Sequence, residues 1–229
     1  MKLSCLPVSL FSAIINRQMS LIEWAEQGKQ FGLDGVDISL LFVENHSPAY
    51  LGKLIRGLKE VGISLIMAAT YPDFTHPDPV QREREMEYLR RDIALSSQLA
   101  VRYLRVLAGQ AYPGTRRAEG VKWAVENLIE ADRVARKYGV RLAALGLDPL
   151  SILGKVYDRV ETIHVSDIAE MGKFQPVLVG TGAVCFPHIF QYLKSRGFDN
   201  WLCIEEASFT GSEGIRKAAA YTRKTWDAA

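Results

Sequence analysis

Two short segments end in groups that bind metals or move protons. Asp158-Arg-Val-Glu-Thr-Ile-His-Val-Ser-Asp167 carries a β-branched run that stops on His164, Ser166 and Asp167, and Phe198-Asp-Asn-Trp-Leu-Cys-Ile-Glu-Glu206 is an apolar run that stops on two acids. Chemistry at the carboxyl end of a strand is how parallel α/β barrels build active sites, so both runs read as barrel strands. A histidine inside an apolar strand is commonly a hydrogen-bonded core residue, and Ser166 and Asp167 just beyond His164 are what favour a site. A carboxylate after Trp-Leu-Cys-Ile is costly to bury alone, so an arginine or a divalent cation is expected beside Glu205. Adjacent glutamates point to opposite faces, and counting back by twos gives apolar residues from either one, so parity does not choose between Glu205 and Glu206.

The elements that must position these ends alternate throughout the chain. Leu3 to Leu10 reads as a first strand, and Ser20-Leu-Ile-Glu23 is a capping box that opens a helix ending at Gly32. Val36 to Ser39 is a second strand. Ser47-Pro48 starts a helix with stripe Leu51, Leu54, Ile55 and Leu58, closed by Gly62. Ile63 to Met67 is a third strand that runs into a proline-rich loop, Thr70 to Pro79, of the kind that carries function. His76 lies on this loop, where it can reach the mouth of a barrel and is a candidate substrate contact; a surface turn histidine is the competing reading.

A charged helix, a strand over Val101 to Leu107 ending in Ala-Gly-Gln110, a long helix from about Glu119 to Tyr138 and a strand over Val140 to Leu145 follow. Asp148-Pro149 caps a short helix over Leu150 to Val156. Gly180-Thr-Gly182 reads as a plain turn or a weak phosphate cradle before a helix near Pro187 to Ser195. The Glu205 strand and a last helix from about Gly214 end the chain. The junctions Val61-Gly-Ile63, Tyr138-Gly-Val140 and Arg196-Gly-Phe198 repeat one device, a glycine closing a helix directly before a strand.

The result is a single domain, residues 1–229, with an α/β fold of the parallel (βα) TIM-barrel type. Most strands start about 28 to 39 residues apart, but the step from Val140 to the His164 strand is only about 20. About one βα unit is therefore missing between strands five and seven.

Composition excludes several classes. A chain of 229 residues with 48% hydrophobic residues can bury one sizeable core, and its net charge of +2, with basic and acidic residues interspersed, gives no nucleic-acid face. The three cysteines are far apart and unpaired in pattern, which argues against a disulfide framework and for a cytoplasmic protein. No apolar run reaches the ~20 residues of a membrane span, and the start of the chain reads as a strand, not a signal peptide. Serine-nucleophile, zinc-protease and dinucleotide motifs are absent. Unpaired strand edges at the gap imply a homo-oligomer.

Tyr-Pro-Asp-Phe-Thr-His, Leu-Arg-Val-Leu-Ala-Gly-Gln, Glu-Gly-Val-Lys-Trp, Thr-Ile-His-Val-Ser-Asp, Val-Gly-Thr-Gly and Cys-Ile-Glu-Glu-Ala-Ser together resemble the xylose isomerase-like TIM barrels, which include sugar phosphate isomerases and epimerases. The resemblance implies a divalent cation (manganese, magnesium, cobalt or zinc) held by His164 and Glu205, with Glu205 also catalytic, and Gln110 and Asp167 near the substrate. It implies metal-dependent isomerisation or epimerisation of a small sugar, polyol or sugar phosphate through an enediolate. Two further acidic ligands of that family have no match, since Ala143-Ala-Leu-Gly146 stands where a glutamate is expected and the unit carrying an aspartate is missing. The alternative is therefore a degenerate or truncated barrel that serves as a binding or structural protein.

Overall fold

The computed structural model describes residues 1–144 and 157–229. The expected helix over Leu150 to Val156, its cap at Asp148 and the strand end at Leu145-Gly146 lie outside the described residues. The chain groups into two compact units, Met1–Ile38 with Arg56–Ser64 and Gly146–Ala229, and Ser39–Ile55 with Leu65–Leu145.

In the first unit, β1 (Lys2–Leu6), β9 (Trp201–Glu205) and β6 (Thr162–Val165) form a parallel sheet with β9 in the middle. Leu3, Cys5, Leu202 and Ile204 on one face are fully buried, as the apolar run before Glu205 requires. A short helix α1 (Phe11–Ile15) follows β1. Helix α2 (Leu21–Gln30) starts at the expected capping box: Ser20 Oγ accepts from Glu23 N–H at 3.2 Å, and Glu23 Oε2 accepts from Ser20 N–H at 2.6 Å. The indole of Trp24 on this helix donates to the carbonyl of Asp37, in β2 (Gly35–Ser39). Gly28 has no room for a side chain, since a Cβ there would sit 2.7 Å from Val36.

Helices α6 (Phe186–Ser195) and α7 (Gly211–Ala228) close this unit, with Phe186, Phe190, Phe198 and Trp226 in edge and tilted ring contacts. One feature was not expected from the sequence. Beyond His164 the chain forms a small antiparallel hairpin, β7 (Asp167–Ile168) with β8 (Pro176–Val177).

In the second unit, β3 (Ser64–Thr70), β4 (Tyr103–Val106) and β5 (Arg141–Ala144) pair in parallel, with Ala69 opposite Arg105 and Arg105 opposite Ala143. Helices α4 (Pro79–Gln98) and α5 (Arg117–Lys137) pack together, and the Arg82 guanidinium lies 4.2 Å above the Trp123 ring. The helix α3 (Pro48–Val61) ends at Gly62, whose φ of +74° is the left-handed closure that the glycine junctions foretell.

Removing the capping box separates local from tertiary stability. Ser20→Ala is expected to lower unfolding free energy by about 1 kcal/mol in urea titration with no change in the m-value.

Candidate functional site at the strand ends

His164 is placed by β6 and Glu205 by the last position of β9. The parallel register sets His164 opposite Cys203, and Cys203 opposite Ser4. Glu205 lies two residues beyond Cys203 and so shares its face, while Glu206 turns to the other. His164 Nδ1 stands 3.2 Å from Glu205 Oε2, with side chains only 12% and 17% exposed. The register thus decides the question that alternation left open: Glu205 is the acid on the His164 side.

Below this pair the same face is polar and buried. Ser4 Oγ donates to Asp37 Oδ2 at 2.7 Å, and both residues are fully buried. Burial, reinforced by the Asp37 charge, pushes the Cys5 and Cys203 thiols well above their ordinary value of 9.0. Both therefore stay protonated, and neither is a nucleophile. Glu206 is also buried, and its Oε1 accepts from Ser208 N–H at 2.9 Å.

Asp167 is buried and committed to the backbone. Its Oδ1 accepts from the N–H groups of Ile168 (3.0 Å) and Val184 (3.1 Å), and its Oδ2 from Gly180 and Gly182 (2.9 Å each). The amides of Gly180-Thr-Gly182 that would face a phosphate face this carboxylate instead. A Cβ on Gly182 would sit 2.4 Å from Asp167 Oδ1, so the loop closes this tightly only with glycine there. Beyond β9, Phe209 holds a φ of +58°, a conformation that costs a non-glycine residue about 1–2 kcal/mol.

Gln110 and His76 belong to a second polar cluster, in the other unit. Asp73 Oδ1 accepts from Thr75 N–H (3.1 Å) and Oγ (2.8 Å), and its Oδ2 from Gln110 Nε2 (3.2 Å) and from the Tyr112 hydroxyl. Thr75 Oγ in turn accepts from the Gln110 N–H at 2.8 Å. The loops after β3 and β4 are thereby clasped together. Gly109, at φ +133°, permits the closure, because a Cβ would meet Thr75 Oγ at 2.2 Å. His76 accepts from Asp78 N–H through Nδ1 at 3.1 Å, and its ring meets the Tyr112 ring edge-on at 4.9 Å. Partial burial tends to raise the Asp73 carboxyl, but the bonds from Tyr112, Thr75 and Gln110 outweigh it and hold it below its ordinary 3.8.

The sequence reading had missed Asp73 and Tyr112, which lie far apart in the chain, and also Arg105. That arginine is buried on β4, with Ala69 and Ala143 opposite it on the neighbouring strands. The alternating run Tyr-Leu-Arg-Val, with a charge at an apolar position, was the available signal.

Parallel strands alternating with helices, with an acid and an imidazole meeting at the carboxyl ends of paired strands, define an α/β protein of the TIM-barrel type. The chain belongs to the xylose isomerase-like TIM barrel family, whose model matches residues 25–144. No curated protein sequence matches it. Among solved structures it is similar to D-psicose 3-epimerase from Clostridium cellulolyticum H10, crystallised with D-tagatose (TM-score 0.75, 14% identity, covering 99% of each chain). It is also similar to the IolI protein crystallised with a zinc atom (TM-score 0.76, 17% identity, covering 100% of this chain and 99% of that one). A third is 3-keto-D-glucoside 4-epimerase from E. coli (TM-score 0.75, 14% identity, 98% and 99%).

Two outcomes follow from the carboxylates. Asp167→Ala strands several backbone N–H groups and is expected to destabilise the protein by about 2 kcal/mol or more, with the amides of Gly180, Gly182 and Val184 losing hydrogen-exchange protection first. Asp73 has a depressed folded value, so its contribution is complete above pH 3.8 and is lost as pH falls through that lower value. Asp73→Asn should accordingly flatten the acid limb of the stability curve, as measured by thermal unfolding between pH 2 and 5.

Proposed function

We propose that this protein is an isomerase or epimerase of a small sugar, polyol or sugar phosphate, in which Glu205 removes and returns a carbon-bound proton through an enediolate. The observation that carries this reading is the 3.2 Å approach of His164 Nδ1 and Glu205 Oε2 at the ends of adjacent parallel strands. A carboxylate at hydrogen-bond distance of an imidazole and largely shielded from bulk water is placed to exchange a proton with a bound substrate. The imidazole beside it fixes the direction in which the lone pairs point. Asp167 supports the site by holding the loop that follows β6 and β7, as a positioning residue.

Among the described residues, no group of three His, Cys, Asp or Glu side chains gathers closely enough to hold a metal ion. His164 and Glu205 fit such an ion as two donors, an imidazole nitrogen and a carboxylate oxygen, with water or substrate oxygens needed for the rest. A divalent cation held there would supply a Lewis acid for the substrate carbonyl. The small number of protein donors favours a second reading, a barrel that binds a sugar without turning it over.

Solvent exchange distinguishes the two. Ketoses and their phosphates, incubated with the protein in deuterated buffer with manganese or zinc, are expected to gain deuterium beside the carbonyl, read by proton NMR. Glu205→Gln should slow that gain by about a hundredfold or more, and His164→Ala should lower the metal bound per chain in mass spectrometry. Binding of a sugar with no deuterium gain in any combination would leave the second reading standing.

A further inference from the structure

Among the described residues, Arg17, Ala100 and Phe209 hold left-handed backbone without being glycine. Arg17 and Ala100 stand just past the ends of α1 and α4, where one left-handed residue is an ordinary closure. Phe209 closes no helix. It lies in the loop between β9 and α7, four residues beyond Glu205, at a φ of +58°. A glycine would make that turn without strain, and a bulky aromatic is among the residues least suited to it. Packing does not offset the strain, since the side chain is 75% exposed. The turn is nevertheless firmly built. Ser208 N–H donates to Glu206 Oε1 (2.9 Å), the Ser208 and Thr210 hydroxyls share a hydrogen bond at 2.6 Å, and a Cβ on Gly214 in the first turn of α7 would stand 2.2 Å from Thr210 Oγ. A strained residue persists only where its surroundings impose it, and the advantage of this aromatic side chain has to come from a contact that the lone chain does not make.

We infer that Phe209 is a substrate-contact residue, whose ring takes the C–H face of a neutral sugar acted on at Glu205. The identity of the ligand as a sugar rests on the isomerase reading; the need for a ligand rests on the backbone. Four residues of chain span at most about 14 Å, and the bond between Glu206 and Ser208 shortens that path, so the ring stays close to the carboxylate. The C–H groups of a sugar are polarised positive by the oxygens on their carbons and complement the negative face of an aromatic ring. Contact removes water from the ring and from the least hydrated face of the sugar, a gain that can offset the strain of the turn. Small-molecule sites are commonly built this way, with apolar and aromatic walls and a few placed polar groups. The neutral class follows from Asp167. It already occupies the amides of Gly180 and Gly182, so this end of the sheet offers apolar contact where its phosphate cradle is closed.

Saturation-transfer NMR with D-fructose and D-sorbose tests this, because irradiating the aromatic protons of the protein marks sugar C–H groups that lie against a ring. The wild-type protein is expected to pass saturation to those C–H signals. Phe209→Gly should lose most of the transfer and bind the ketose about tenfold more weakly. Its Tm should hold or rise by about 2–4 °C as the strain is released, the opposite of what loss of a packing residue does. Phe209→Tyr keeps the ring and should keep the affinity. An unchanged affinity in Phe209→Gly, a Tm that falls with that change, an equal loss in Phe209→Tyr, or no transfer from the wild type to either ketose would each overturn the inference. Ketose binding that depends on Phe209 but brings no deuterium into the sugar would support it while removing the isomerase reading.

Discussion

Parallel pairing in one fixed register is the constraint on which the site depends. Because β6 and β9 align His164 with Cys203, the carboxylate two positions on arrives beside the imidazole. A slip of one residue would put Glu206 on that face and turn Glu205 away. The register is fixed in turn by what lies on the opposite face, where Leu3, Cys5, Leu202 and Ile204 are excluded from water. Burial of these side chains costs nothing chemically and determines everything about where the acid stands.

Two neighbouring glutamates thus have separate environments. Glu205 looks toward an imidazole with part of its surface open, whereas Glu206 is enclosed and bonded to the turn that follows it. The same alternation separates the polar group of Ser4 and Asp37 from the aliphatic layer. The two cysteines on these strands are kept as thiols by burial, so the chemistry left to this end of the sheet is that of a carboxylate and an imidazole.

Much of this was legible from residue order. Ser20 and Glu23 announced their helix, the glycine junctions at 62, 139 and 197 marked helix ends with positive φ, and His164 and Glu205 could be named together through the resemblance of their strand-end motifs to the family, alternation by itself leaving Glu205 and Glu206 undecided. The hairpin after His164 was not visible, since two-residue strands carry no periodicity. The clasp at Asp73 was equally hidden: its partners, Gln110 and Tyr112, come from another loop, and nothing local to Asp73 names them. Asp167 was recognised as important from its place after His-Val-Ser, but its side chain serves the backbone, a role that depends on a loop more than ten residues downstream.

The Asp167 cradle has a consequence for what the molecule can recognise. The amides of Gly180 and Gly182 already hold an anion, and that anion is covalently tethered to the chain. An incoming phosphate would have to displace a competitor whose effective concentration is set by a short, folded connection and not by the contents of the cell. The glycine pair therefore works as a latch that carries its own key, and any discrimination between phosphorylated and free sugars has to be made by other groups.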